Sequence, residues 1–277
     1  MKWITLFALL ISIQNCFSQD NKETSNSSRK GKLYLYFGWN RASFTHSDLE
    51  FTGSNYGFTL KDVVAKDRPS SFALDPYFNP GRFTIPQYNF RVGYFTSDHW
   101  SVSVGTDHMK YVMQQNQKVK INGEILDTVA HYEGIYNNEE IALTNDFLIF
   151  EHTDGLNYIN VEIRRYDQLF RYKNFQIQLT EGFGTGVLVP RTNTTLLGKR
   201  RHDQFHISGF GLSTVVGLNF SFYDHFFIQS EVKGGYVNMP NVRTTSDKID
   251  KAKQSFFFAE YNLVFGTTIN LNKKSSK

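Results

Sequence analysis

The sequence predicts an all-β protein, an eight-stranded antiparallel transmembrane β-barrel with long extracellular loops and short periplasmic turns. Three observations point there. Many segments alternate apolar and polar side chains with the period of two that a one-sided strand requires. Aromatic residues make up 16% of the chain, with 26 Phe and 15 Tyr, yet mean hydropathy is −0.40. A polar average rich in aromatics fits barrel strands rather than apolar helices. Past the N-terminus, no segment offers the roughly 18–20 continuous apolar residues of a membrane-spanning helix.

The N-terminus predicts export. Residues 1–18 (M-K-W-I-T-L-F-A-L-L-I-S-I-Q-N-C-F-S) combine Lys2, an apolar run, and small residues Cys16 and Ser18 at −3 and −1. This is the pattern of a signal peptide cleaved before Gln19. A lipoprotein reading through Cys16 is disfavoured by Asn15 before it. Cleavage removes the sole cysteine, so no disulfide holds the mature chain. Residues 19–32 read as a polar periplasmic leader, 33–272 as the barrel and 273–277 as a polar tail. The expected location is the bacterial outer membrane. A net charge of +4 is too mild to argue for nucleic acid.

Taken in order, the first strand is 33–40, with Leu33, Leu35, Phe37 and Trp39 on one face and Tyr34, Tyr36, Gly38 and Asn40 on the other. Next come 88–95, where Phe90, Val92 and Tyr94 oppose Asn89, Arg91 and Gly93, and 100–104, where Trp100, Val102 and Val104 oppose Ser101 and Ser103. Strands over 156–169, 175–189, 206–222, 226–238 and 256–271 complete eight; the last alternates most cleanly. Three connections are tight: T-S-D-H at 96–99, R-Y-K-N at 171–174 and F-Y-D-H at 222–225. Each precedes an aromatic (Trp100, Phe175, Phe226), and two contain an Asp-His pair, Asp98-His99 and Asp224-His225. The other four, about 47–86, 114–154, 191–204 and 241–254, are long, and short and long alternate strictly. That is the plan of an outer-membrane barrel. A soluble lipocalin-like barrel shares the alternation but turns its apolar face inward. The aromatics at strand ends and the loop asymmetry favour the membrane. Arg91, Glu162, Arg164, Glu231, Lys233 and Glu260 then form a paired polar interior. Eight strands leave that interior filled by side chains, which excludes a porin.

Chemistry is therefore expected at the extracellular rim. Three polar clusters should lie at one height there: T-H-S-D (His46, Asp48) above strand one, D-H-M-K-Y (Asp107, His108, Lys110, Tyr111) above strand three, and E-H-T-D (His152, Asp154) entering strand four. Imidazoles and carboxylates so grouped suit proton transfer or a divalent ion. Solvated rim residues are the alternative for each cluster alone. Extending the phase of strand four puts His152 and Asp154 inward with Tyr158. The phase of strand three puts Asp107 and Tyr111 inward and His108 and Lys110 outward, unless a bulge near Gly105 reverses it. An outward Lys110 would meet a lipid phosphate. In T-E-G-F-G-T-G (180–186), Glu181 shares the lipid-facing parity, and the glycines leave either a groove or room for Tyr or Arg from facing strands. Pro and aromatic residues in D-P-Y-F-N-P-G (75–81) and T-I-P-Q-Y-N (84–89) predict an ordered loop folded over the mouth.

F-G-W-N-R-A-S-F-T-H-S-D-L-E-F, V-G-T-D-H-M-K-Y-V and F-E-H-T-D-G-L-N-Y-I-N-V together resemble the lipid A oxidase family of outer-membrane barrels, over about 50 residues plus the eight-strand plan. The resemblance implies oxygen-dependent oxidation of the proximal glucosamine of lipid A at the outer leaflet. The matching positions are His46, Ser47, Asp48, Asp107, His108, Lys110, Thr153, Asp154, Gly155 and Asn157; the long loops do not match. The leading expectation is a monomeric barrel that binds lipid A or lipopolysaccharide and oxidises it. His46, Asp48, Asp107, His108, His152 and Asp154 would form its catalytic site, with Lys110, Tyr111, Asn157 and Tyr158 binding substrate. The sequence names no cofactor, although a divalent metal is compatible with the site. Two alternatives stand beside it. One is a non-enzymatic surface barrel acting in adhesion or envelope stability. The other is a lipid A deacylase using Ser208 and His206 with Glu231 or Glu181.

Overall fold

The computed structural model describes residues 28–126, 131–199 and 204–271. The segment expected to be a signal peptide, most of the expected leader and the expected C-terminal tail lie outside the described residues. Fourteen strands, numbered in chain order, form one antiparallel sheet. Eight close a ring: β1 (Lys32–Phe44), β5 (Tyr88–Phe95), β6 (Trp100–Met113), β9 (Leu148–Tyr172), β10 (Phe175–Pro190), β12 (Gly209–Phe222), β13 (Phe226–Arg243) and β14 (Lys251–Asn270). They follow that order around the wall, and β14 returns to β1 in unbroken register from Lys32↔Asn270 to Phe44↔Phe258. Closure leaves no unpaired strand edge in the wall, the condition for placing a sheet in hydrocarbon.

The expected alternation is met on both faces of this wall. Outward stand Val102, Val104, Ile159, Val161, Ile163, Phe183, Val216 and Leu263, all well exposed. In water such a band would be unsheltered apolar surface; in a membrane it is the lipid-facing wall. The chain is an outer-membrane-type β-barrel. Glu181 lies on the outward side opposite Arg165, as its parity predicts, and Arg165 pairs with Asp167 at 2.7 Å.

The interior is layered. At the periplasmic end Tyr34, Tyr36, Phe95, Tyr166 and Phe227 pack as an aromatic floor. Above it lies an ion network of buried side chains. Arg164 reaches Glu162 and Glu231 at 2.6 Å each, Arg91 reaches Glu162 at 2.8 Å, and Lys233 reaches Asp107 at 2.5 Å and Glu162 at 2.7 Å. The glycine run on β10 makes room for it. A Cβ at Gly182 would lie 2.8 Å from Arg164 Cγ, and one at Gly184 would lie 2.7 Å from Glu162 Cγ. No groove is left on that side.

The wall strands continue beyond the membrane band, and six short strands expected as loop join them: β2 (Ser47–Gly53), β3 (Tyr56–Val63), β4 (Ala65–Asp67), β7 (Lys118–Ile125), β8 (Gly134–Ala142) and β11 (Asn193–Leu196). The top of β14 pairs with β2, extending the sheet through β3, β7 and β8. Leu49, Phe51, Phe58, Leu60, Ile121, Phe147 and Phe150 bury their side chains beneath this sheet, in one core continuous with Tyr158, Phe256 and Phe258 of the barrel. The mouth is sealed by hydrophobic packing.

One expectation fails here. The Pro- and aromatic-rich segment 68–87 is ordered but does not cover the mouth. It packs outside the wall, with Phe83 on Phe37 at 4.9 Å and both Tyr77 and Phe78 on Trp39 at 5.4 Å. Its Phe72, Leu74, Phe78 and Ile85 remain exposed.

Candidate functional site

The six residues expected to form one catalytic site lie in separate surroundings. His46 is exposed in the link between β1 and β2. Asp48 sits on the surface of the cap, paired with Lys61 at 2.6 Å. Asp107 is buried in the barrel, where it binds Lys233 and accepts hydrogen bonds from Asn89 (2.6 Å) and Asn160 (2.9 Å). His108 faces outward, as its parity requires, and no bulge at Gly105 reverses the strand. Its ring stacks on Tyr88 at 4.9 Å, and its Nδ1 lies 2.8 Å from Asn157 Oδ1.

His152 is buried in the cap core. Its Nδ1 lies 2.9 Å from Thr192 Oγ1 and its Nε2 3.5 Å from Gln254 Oε1, with Tyr111 and Phe150 against its faces. Asp154, expected inward beside it, is exposed, with Arg191 3.5 Å away. The register explains the difference. Met109 pairs with Leu156 but Tyr111 pairs with His152, so β9 carries extra residues between them. Gly155 takes up this bulge at φ +125°, where a Cβ would also strike His108 and Asn157. The bulge swings Asp154 to the surface and leaves His152 in the core.

The four expected substrate-binding residues divide the same way. Lys110 is outward and half-buried, donating to the Ile85 carbonyl at 2.8 Å. Asn157 is outward, donating to the Val189 carbonyl. Tyr111 is a core residue hydrogen-bonded to Ser47, and Tyr158 points inward against Ser213. Burial in this core pushes the Tyr111 hydroxyl up to about 12 and the His152 imidazole down to about 4. Both shifts move these groups away from the neutral range.

Among the described residues, no three His, Cys, Asp or Glu side chains come together as a ligand set. The deacylase arrangement is also absent. Ser208 donates to the His206 backbone carbonyl at 3.3 Å, while the His206 ring meets Asn241 at 3.0 Å. Glu231 lies inside the barrel and Glu181 outside it, on strands where neither reaches the His206 ring.

What the wall does assemble is an aromatic shelf on the outer face of β1, β5 and β6. Phe37, Trp39 and Tyr88 form its base, and Tyr77, Phe78 and Phe83 cover them. Arg41 binds Tyr77 Oη at 2.9 Å and the Asn40 carbonyl at 2.8 Å, holding a cation at the shelf's upper edge. Lys110 is tied to Ile85 at the same edge, and Arg82 lies within segment 68–87, paired with Asp75 at 3.0 Å. The aromatic density of 72–88 was the available signal for this shelf; its placement outside the wall was not encoded in any strand phase.

No protein-family profile matches the chain, and no curated protein matches it in sequence. Among solved structures it is similar to the outer membrane protein OprG from Pseudomonas aeruginosa, at 11% identity and a TM-score of 0.38, over 87% of this chain and 97% of that one. It is also similar to Ail, the attachment invasion locus protein of Yersinia pestis, solved with the heparin analogue sucrose octasulfate (10% identity, TM-score 0.29, 85% and 99% covered). A third is the outer membrane protease OmpT from Escherichia coli (6% identity, TM-score 0.28, 91% and 99% covered). All three are outer-membrane proteins; the assignment of this chain rests on its own closed register and outward apolar band.

Proposed function

We propose that this barrel is a non-enzymatic outer-membrane protein that holds outer-leaflet lipid, including the phosphorylated headgroup of lipid A, against the aromatic shelf on its wall. The observation carrying this reading is segment 68–87, packed on the lipid-facing side of Trp39 with Phe72, Leu74, Phe78 and Ile85 left uncovered. Apolar side chains so placed suit acyl chains, and Arg41 and Lys110 above them suit phosphate oxygens. The reading belongs to envelope stability rather than catalysis, because the imidazoles and carboxylates expected to oxidise the headgroup occupy separate surroundings.

The test is binding of lipid A to the folded barrel in micelles, followed by Trp fluorescence and native mass spectrometry. The double variant Arg41→Ala/Lys110→Ala is expected to bind diphosphorylated lipid A about tenfold more weakly, which corresponds to about 1.4 kcal/mol. It should bind dephosphorylated lipid A as well as the parent does. Equal affinity of parent and variant for the phosphorylated form would remove the reading. So would lipid A extracted from cells carrying the gene that has gained an oxygen or lost an acyl chain relative to cells without it.

A further inference from the structure

The two Asp-His turns fall outside the lipid-binding reading, and both border one cavity at the periplasmic mouth. That cavity, of about 100 Å³, lies beneath the aromatic floor, with Asp98, His99, Asp224 and His225 around its rim. The chain just before β1 crosses the opening as a strap. Asp98 Oδ1 accepts three hydrogen bonds from it: Ser28 Oγ at 2.7 Å, the Arg29 N–H at 2.8 Å and the Lys30 N–H at 3.1 Å. The Gly31 N–H donates to the Phe95 carbonyl at 2.9 Å.

The strap sets Arg29 inside the mouth. Its guanidinium lies over Phe95 at 5.7 Å and Tyr166 at 5.5 Å, and Nη1 is shielded from solvent with no hydrogen-bond partner. Burial presses this guanidinium below its usual pKa, and the nearby acids only partly offset that. Ring faces attract a cation but accept no hydrogen bond in the guanidinium plane. A shielded charged donor left without an acceptor is costly. The two carboxylates at the rim do not supply one, since Asp98 is engaged by the strap and Asp224 accepts from Gln176. Gln178 and Asn219 line the same cavity; each amide donates one N–H, to Gln176 and Gln229, and carries a second, while the Ser221 hydroxyl beside them donates to Asn219.

We propose that the periplasmic mouth is a binding site for one small oxyanion, a phosphate or carboxylate group, received by the Arg29 guanidinium and by the second amide N–H of Gln178 and of Asn219. A planar fork of N–H donors matches both oxyanions. The cavity holds the charged group, and whatever carries that group extends into the periplasm. Asp98 is a positioning residue, because it aims Arg29 through the strap. The site lies at the opposite end of the barrel from the lipid shelf and does not depend on it.

The experiment uses the folded barrel in micelles, titrated with inorganic phosphate and separately with acetate, with chloride holding ionic strength constant. Amide chemical shifts of the 28–31 strap and the 96–99 turn give the readout. Saturable shifts with at least one of the two anions are expected. Arg29→Gln should weaken them at least tenfold and Asp98→Ala severalfold, while Arg29→Lys retains part of the affinity. The anion that saturates identifies the chemical source. Arg29→Gln should run as the same compact species as the parent on unheated gels, which separates lost binding from lost folding. No saturable shift with either anion overturns the proposal. So does an Arg29→Gln barrel that binds as the parent does, or one that merely melts earlier with no change in anion response.

Discussion

Replacing Arg164 by Met is expected to destabilise the barrel by about 3–5 kcal/mol, the usual cost of removing one partner from a buried ion pair. Arg164 holds Glu231 through Nη1 at 2.6 Å and Nη2 at 3.3 Å, Glu162 through Nε at 2.6 Å, and Tyr36 Oη at 3.0 Å. Without it, Glu162 still has Arg91 and Lys233. Glu231 keeps only the neutral amides of Gln229 and Asn262. Glu231 is thus the carboxylate left without a direct ion-pair contact. Adding Glu231→Gln to Arg164→Met should recover a substantial part of the loss. Glu260→Gln gives the contrast. Four carboxylates (Asp107, Glu162, Glu231, Glu260) share this layer with three cations (Arg91, Arg164, Lys233), and neither Glu260 oxygen has a hydrogen-bond partner. Glu260→Gln replaces a buried carboxyl that makes no hydrogen bond by a neutral amide of the same size, so its midpoint should stay equal to or exceed that of the parent. Urea unfolding in micelles, followed by tryptophan fluorescence and by loss of the heat-modifiable compact band, measures all four proteins. An Arg164→Met barrel as stable as the parent would show that the network carries no net stabilisation.

The wall was legible in the sequence because lipid and interior impose opposite demands on alternate residues. Leu33, Leu35, Phe37 and Trp39 cannot exchange faces with Tyr34, Tyr36 and Asn40 without placing polar groups in lipid. The cap follows the same rule over shorter segments. Leu49 and Phe51, then Tyr56, Phe58 and Leu60, alternate on either side of the turn at 53–55. Their alternation is short and falls within one long connection of the eight-strand plan, which hides it. The dispersal of the candidate site residues has a different reason. Equal height along the barrel says nothing about compartment: Asp107 and His108 are neighbours in sequence, yet one enters the ion network and the other stacks outside on Tyr88. Phase counting cannot foresee a bulge either, and an unbroken phase puts Asp154 inward beside His152. Gly155 was recognised as a bend, but the number of residues the bend absorbs is fixed only by pairing with β6.

Acidification from pH 6.5 to pH 4 is expected to weaken the cap through His152, and this is the second large effect. The imidazole is enclosed by Tyr111 and Phe150, with Thr192 and Gln254 as its polar contacts and no carboxylate paired to it. Burial therefore holds its folded-state value down at about 4, against about 6.5 in an unfolded chain. Above pH 6.5 both states carry a neutral ring and the residue adds no pH dependence. Between 6.5 and 4 the unfolded chain binds a proton that the folded cap refuses, so stability falls as pH falls. Below 4 both states are protonated and the loss levels off, at about 3 kcal/mol in all. His152→Gln keeps a polar group toward Thr192 and Gln254 but cannot titrate. Carboxylates elsewhere titrate in the same range in both proteins, so the informative quantity is the difference between the parent and His152→Gln curves. Measured by unfolding midpoint and by protease cleavage of the extracellular hairpins, that difference should open below pH 6.5 and saturate near pH 4. Parallel curves across the window would mean that the ring takes up its proton inside the cap as readily as in the unfolded chain, and that the cap core around His152 admits water.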